Sequence, residues 1–171
     1  MKYLILILIL FILGCSQNIN QIQKEADTMK LTSPVFEEGQ FIPSKYTCDG
    51  DDISPHLIIS DVPSNAKSLV LIMDDPDAPM GTFVHWVVWN ILPDKKEILE
   101  DEDLPNQGTN DFRKQTYGGP CPPSGAHRYF FKLYALDTTL NLSKEATKKD
   151  LEQAMKGHII NTAQLMGLYK R

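Results

Sequence analysis

The stretch Gly118-Gly119-Pro120-Cys121-Pro122-Pro123 constrains this chain more than any other, because five of its six residues are Gly or Pro. Proline fixes φ and removes a backbone donor, and glycine in a regular element costs backbone entropy, so neither helix nor ladder runs through it. It must be a loop of fixed shape. Glycine also lets backbone N–H groups come close to a ligand. Gly125 follows, and residues 127–136 then read as a strand. His127 and Tyr129 are two apart and so share one strand face. A rigid loop edge beside an imidazole and a phenol makes a polar pocket.

Two upstream segments supply partners. Residues 68–73 form an apolar, partly β-branched run that reads as a buried strand and ends in Asp74-Asp75-Pro76-Asp77-Ala78-Pro79. A carboxylate at the end of such a strand is half-buried and needs donors, unless the segment is a turn whose acids bond their own backbone. Residues 83–91 are apolar on both alternating faces, with Val84, Trp86 and Val88 on one and Phe83, Val87 and Trp89 on the other. That pattern predicts a central strand covered on both sides, with His85 the one ionisable group inside it.

The candidate set is Asp75, Asp77, His85, Gly119, His127 and Tyr129. Two His and a carboxylate can hold zinc, with Cys121 as a fourth ligand, although none has the short paired spacing of common zinc motifs. The imidazole pair can equally grip an anion. A Cys121–His127 nucleophile pair is a third option, opposed by the position of Cys121 between prolines and its susceptibility to oxidation. Backbone N–H groups at Gly118 and Gly119, with imidazole and phenol donors, suit a phosphate-like oxyanion.

The remainder reads as short strands and turns. Residues 31–36 form an edge strand, since Pro34 denies a ladder bond. Cys48-Asp49-Gly50-Asp51-Asp52 is a turn with solvated acids; it lacks the ligand spacing of a calcium loop. His56 is expected to be exposed. Ser143 or Thr147 caps a helix that carries Leu151, Ala154 and Met155 on one face and ends at Gly157. Another helical turn is expected at 158–160 and a closing strand over 163–169. A formal charge of −5 gives nucleic acid no electrostatic support.

Residues 4–13 are an unbroken apolar run, too short to span a bilayer and of signal-peptide length. Ile12-Leu13-Gly14-Cys15 resembles a bacterial lipoprotein cleavage site. The resemblance implies a signal peptide over 1–14, acylation of Cys15 with palmitate-type chains, and a polar tether over 15–30. The protein is then expected in the bacterial cell envelope, lipid-anchored to a membrane and facing out of the cytoplasm. In that setting Cys48 and Cys121 either bridge their two loops and brace the pocket edge or remain two separate thiols.

Asp75-Pro76-Asp77-x-Pro79, His85-Trp86 and Gly119-Pro120-Cys121-Pro122-Pro123-x-Gly125-x-His127-Arg128-Tyr129 together resemble the phosphatidylethanolamine-binding protein family, which includes the Raf kinase inhibitor protein. Cys48-Asp49-Gly50, Ser54-Pro55 and Gly157-His158 are similar to its bacterial branch. The resemblance covers residues 31–171. It implies a mostly β (β-rich α+β) fold, with a large central antiparallel-type sheet on a smaller sheet and short C-terminal helices. It also implies an anion pocket of Asp75, His85, Gly119, Pro120, His127 and Tyr129, with small anions or phospholipid head groups as ligands and a protein partner possible. The chain lacks the long C-terminal helix of animal members, so their kinase-regulating role is not expected. Gly119 N–H, His85 and Tyr129 are expected to donate to phosphate oxygens, with Asp75 orienting His85. No cofactor is called for. No residue stands out as an activator of water, so binding rather than turnover is expected; the alternative is a phosphoester or ester hydrolase using His85, His127 and Asp75.

Overall fold

The computed structural model describes residues 28–171. The expected signal segment, Cys15 and the expected tether up to residue 27 lie outside them. Seven strands form two antiparallel sheets: β1 (Lys30–Thr32), β2 (Leu57–Ser60), β3 (Ser68–Asp75), β4 (Phe83–Ile91), β5 (Glu97–Ile98), β6 (Ala126–Leu136) and β7 (Ile159–Lys170). The small sheet has the order β1-β2-β5 and the large one β4-β3-β6-β7. β3 is buried along its whole length, as its apolar run requires. Met29 is buried and β1 starts at Lys30, slightly ahead of the residue 31 boundary read from the sequence.

The large sheet has an apolar layer on each face. Leu69, Leu71 and Met73 of β3, with Trp86 and Val88 of β4 and Tyr129, Phe131 and Leu133 of β6, pack against Leu31, Leu57, Ile59 and Ile98 of the small sheet. Val70, Ile72, Val84, Val87 and Trp89 face Leu151 and Met155 of the helix. That helix, α1 (Lys148–Met155), is the one α-helix among the described residues. Thr147 caps it, with the Asp150 carboxylate accepting the Thr147 N–H at 2.8 Å. Among the described residues the C-terminal region thus has one short α-helix where a helix and a further helical turn were expected. The helical turn expected at 158–160 is strand instead, because β7 begins at Ile159 and pairs with β6 to its end.

β4 departs from simple alternation. Met73 pairs with Trp86 but Asp74 pairs with Val84, leaving His85 as an extra residue in a β-bulge. Val84 therefore lies with Val87 and Trp89 on the helix side, not with Trp86 and Val88 as alternation predicts. A bulge re-aims side chains locally, and here it directs His85 towards Tyr129.

Both outer edges of the large sheet are engaged by loops. The 106–118 segment runs along β4, with bonds from Trp89 N–H to Asn106 O, Gly108 N–H to Val87 O, Asp111 N–H to Val84 O and Gly118 N–H to His85 O. Residues 39–42 meet β7 at Met166 and Leu168.

Candidate functional site

The site forms where β3, β4 and β6 end together and two loops cross over them. Asp75 is the last residue of β3 and its side chain lies on the face opposite Asp74. Its Oδ1 accepts the Asp77 N–H at 2.8 Å, and its Oδ2 lies 2.7 Å from Nδ1 of His127. The carboxylate is therefore satisfied both by its own turn and by an imidazole, so the two sequence readings of this segment hold at once. Asp75 pairs with His127 and not, as expected, with His85; the bulge carries His85 elsewhere.

His85 is 2% exposed, and its Nδ1 lies 2.7 Å from the Gly118 carbonyl. A carbonyl only accepts, so Nδ1 carries the proton and Nε2 has the lone pair. The ring sits among Phe83, Phe112 and Tyr129, with centroids 5.2, 5.3 and 5.2 Å away. Burial is the main cause holding its pKa below the ordinary histidine value; the Gly118 carbonyl and the Asp75 charge oppose it. Asn110 fixes the backbone here, donating from Nδ2 to the carbonyls of His85 (3.0 Å) and Thr116 (2.9 Å).

Tyr129 is 0% exposed, and its hydroxyl is the one buried side-chain polar atom among the described residues without a hydrogen-bond partner. Burial, followed by the nearby Asp75 charge, pushes its pKa well up, so the phenol stays protonated; the Asp75 carboxylate and the Cys121 N–H lie near the hydroxyl but outside hydrogen-bond geometry. A buried hydroxyl left unpaired costs free energy, and such orphans need a reason.

The Gly/Pro loop is seated on the 46–52 loop. A disulfide joins Cys48 to Cys121, with Cα atoms 5.4 Å apart. Cys121 is therefore neither a thiolate nucleophile nor a zinc ligand. Cys48 N–H donates to Pro120 O, and the Tyr117 hydroxyl to Tyr46 O. A Cβ on Gly119 would lie 2.6 Å from Tyr46 O and 2.7 Å from Thr47 Cα, so glycine is required by close approach. The Gly119 N–H donates to Asp52 Oδ1 at 2.7 Å. Two expectations change here: that N–H is already taken within the protein, and Asp52 is a half-buried acceptor, not a solvated acid. Asp49 too is engaged, by Arg171 and the Tyr169 hydroxyl.

These elements surround a cleft of about 630 Å³ lined by Asp75, His85, Asp111 and Cys121, with apolar walls that include Phe83, Phe112 and Pro79. Tyr129 and His127 are not among the lining residues; Tyr129 adjoins the His85 ring and His127 bonds Asp75. Gly119 and Pro120 are buried in the loop contact and do not line the cleft. Asp77 turns outward to Arg128, whose guanidinium holds its carboxyl down at about 2. His56 is not free but half-buried against Glu97, at 2.8 Å. Among the described residues no group of three or more His, Cys, Asp or Glu is arranged to hold a metal ion. Asp111 and Phe112 were missed in the sequence; an aromatic residue in an otherwise polar loop was the available signal.

The phosphatidylethanolamine-binding protein family model matches residues 32–170. The chain belongs to the phosphatidylethanolamine-binding protein family. A UPF0098 protein of Pyrococcus abyssi is 47% identical, covering all of this chain and 99% of the relative. A crystal structure of a putative phosphatidylethanolamine-binding protein homologue from Chlamydia trachomatis superposes with a TM-score of 0.82 at 46% identity, covering 85% of this chain and 99% of the other. Escherichia coli YbcL, described as a member of the mammalian family, gives 0.79 at 30% identity over 84% of this chain and 98% of its own. The mostly β fold read from the sequence is thus this family's fold. The chemistry at and beside the cleft comprises one donor without a partner, two imidazoles bonded through Nδ1, and no Lys or Arg in the lining.

Proposed function

We propose that the protein is a membrane-anchored binding module whose cleft takes a phosphate-like oxyanion, free or as a phosphorylated head group, and that it can act as an inhibitor of a protein partner. The buried, partnerless hydroxyl of Tyr129 carries this reading. It is a donor held ready beside His85 and the Asp75–His127 pair, and a ligand oxygen would supply the acceptor it lacks. Each bond from such groups to an ionised oxygen contributes roughly 1.5–3 kcal/mol. Titration of the ¹⁵N-labelled domain with inorganic phosphate should shift resonances around Tyr129, His85 and His127, and His85→Ala should abolish those shifts. Shifts confined to surface lysines would overturn the assignment. The anchor rests on residues 4–13 and Gly14-Cys15. Metabolic palmitate labelling should mark the protein and fail with Cys15→Ser.

A hydrolase is the second reading, favoured by the Asp75–His127 pair, which has the form of an oriented general base. With Cys121 in a disulfide, water would have to be the nucleophile. A phosphoester and ester screen decides between them: turnover lost in His127→Ala favours hydrolysis, and saturable binding without turnover favours the module.

A further inference from the structure

The cleft proposed to take an anion has no Lys or Arg in its lining, which includes Asp75 and Asp111. The groups facing His85 are Asp75 from β3, Tyr129 from β6 with His127 bonded to Asp75, and Asp111 from the 106–118 loop, with the rings of Phe83 and Phe112 alongside. The Gly118 carbonyl holds the His85 proton on Nδ1, so Nε2 presents a lone pair to the cleft. A lone pair repels a fully ionised oxygen, and a dianion beside two carboxylates has nothing to neutralise it. A ligand oxygen bearing a proton removes both objections. It donates to Nε2 of His85 while another oxygen accepts from the Tyr129 hydroxyl.

We propose that the cleft binds oxyacids together with one proton, shared between the ligand and Nε2 of His85, and therefore prefers phosphomonoester-type ligands, whose dianion readily takes up a proton, over phosphodiesters, whose anion does not. The inference rests on the oxyanion reading above. The proton comes from solvent when the ligand arrives fully ionised, and no other bond is made or broken. A diester can bind only by charging the buried ring, which its surroundings disfavour. The preference for monoesters works against an intact phospholipid head group and towards a free or terminal phosphate.

Calorimetry of the domain with methyl phosphate, in two buffers of different ionisation enthalpy at about pH 8.5, should show uptake of about one proton per ligand, with affinity falling about tenfold per pH unit above that. At about pH 6, where the monoester brings its own proton, uptake should shrink and dimethyl phosphate should bind at least about tenfold more weakly than methyl phosphate. His85→Asn should remove the uptake. Methyl phosphate binding at about pH 8.5 without proton uptake, an equal affinity for dimethyl phosphate, or uptake retained in His85→Asn would each overturn the proton coupling while leaving the oxyanion reading intact. If neither ligand binds the wild-type domain, both fail.

Discussion

Asp74 and Asp75 are adjacent on one strand, are of the same residue type, and are almost completely buried, yet they occupy different chemistry. Asp74 points to the helix side, is 0% exposed, and is held by Lys132 at 2.8 Å and by Lys148 at the start of α1. Its charge is more than balanced and its oxygens are taken. Asp75 points into the cleft, meets one imidazole and one backbone N–H, and has a partnerless hydroxyl close by. The first acid completes a scaffold; the second belongs to a surface with donors left over. Burial alone does not mark a functional carboxylate. What distinguishes it is whether its neighbourhood is satisfied.

The comparison can be broken by substitution. The largest stability loss is expected from removing the Cys48–Cys121 brace on the cleft side. Its sequence separation of 73 corresponds to about 4 kcal/mol of loop-closure stabilisation. A Cys48→Ser/Cys121→Ser double variant should show it in chemical denaturation, and an unchanged midpoint would mean that the loops are held by their hydrogen bonds alone. Asp74→Ala follows, at roughly 3 kcal/mol, since two lysines lose a buried partner but keep some access to water. It should leave phosphate binding intact where folded; a variant that folds normally but loses binding would erase the distinction between the faces. Tyr129→Phe should change stability by no more than about 1 kcal/mol, because no internal bond is lost, yet weaken phosphate binding about tenfold or more. A large stability loss there would mean that the hydroxyl has a structural partner.

The smallest effect belongs to the third acid of the segment. Asp77 is held at about 2 by Arg128. Its folded pKa lies below the unfolded value of about 3.9, so its contribution is present above about pH 4 and is lost as pH falls towards 2. The pair is surface-exposed and screened. The wild type should be slightly more stable than Arg128→Ala above about pH 4, the difference should vanish as pH falls through that window, and it should be smaller at high salt.

Much of this was legible beforehand. The apolar run of β3, the two-sided β4 and the alternation of β6 follow from residue pattern, and the spacing of His127 and Tyr129 puts both on one face. The partner of Asp75 was not legible, because it depends on a bulge at His85. That bulge arises from strand register, which the identities of Val84, His85 and Trp86 do not record. The engagement of the Gly119 N–H by Asp52 was hidden for a related reason: 67 residues separate the two, and only the packing of one loop on the other joins them. β7 was half-read, since Ile159-Ile160 after a helix and a glycine suits either period until β6 offers a partner.

The loop that covers β4 carries a further consequence. Residues 106–118 supply Asp111 and Phe112 to the cleft wall and also occupy the hydrogen-bonding edge of the large sheet. An uncovered edge is a template for joining neighbouring molecules, a hazard that grows wherever copies are crowded together. The Phe112 side chain can therefore be exchanged to retune what the cleft accepts, but the Asp111 carboxylate also accepts the Val84 N–H, and the backbone beneath them is not free to shorten or detach. Ligand range can diversify on this fold by side-chain replacement, while loop deletion would turn a change of specificity into aggregation.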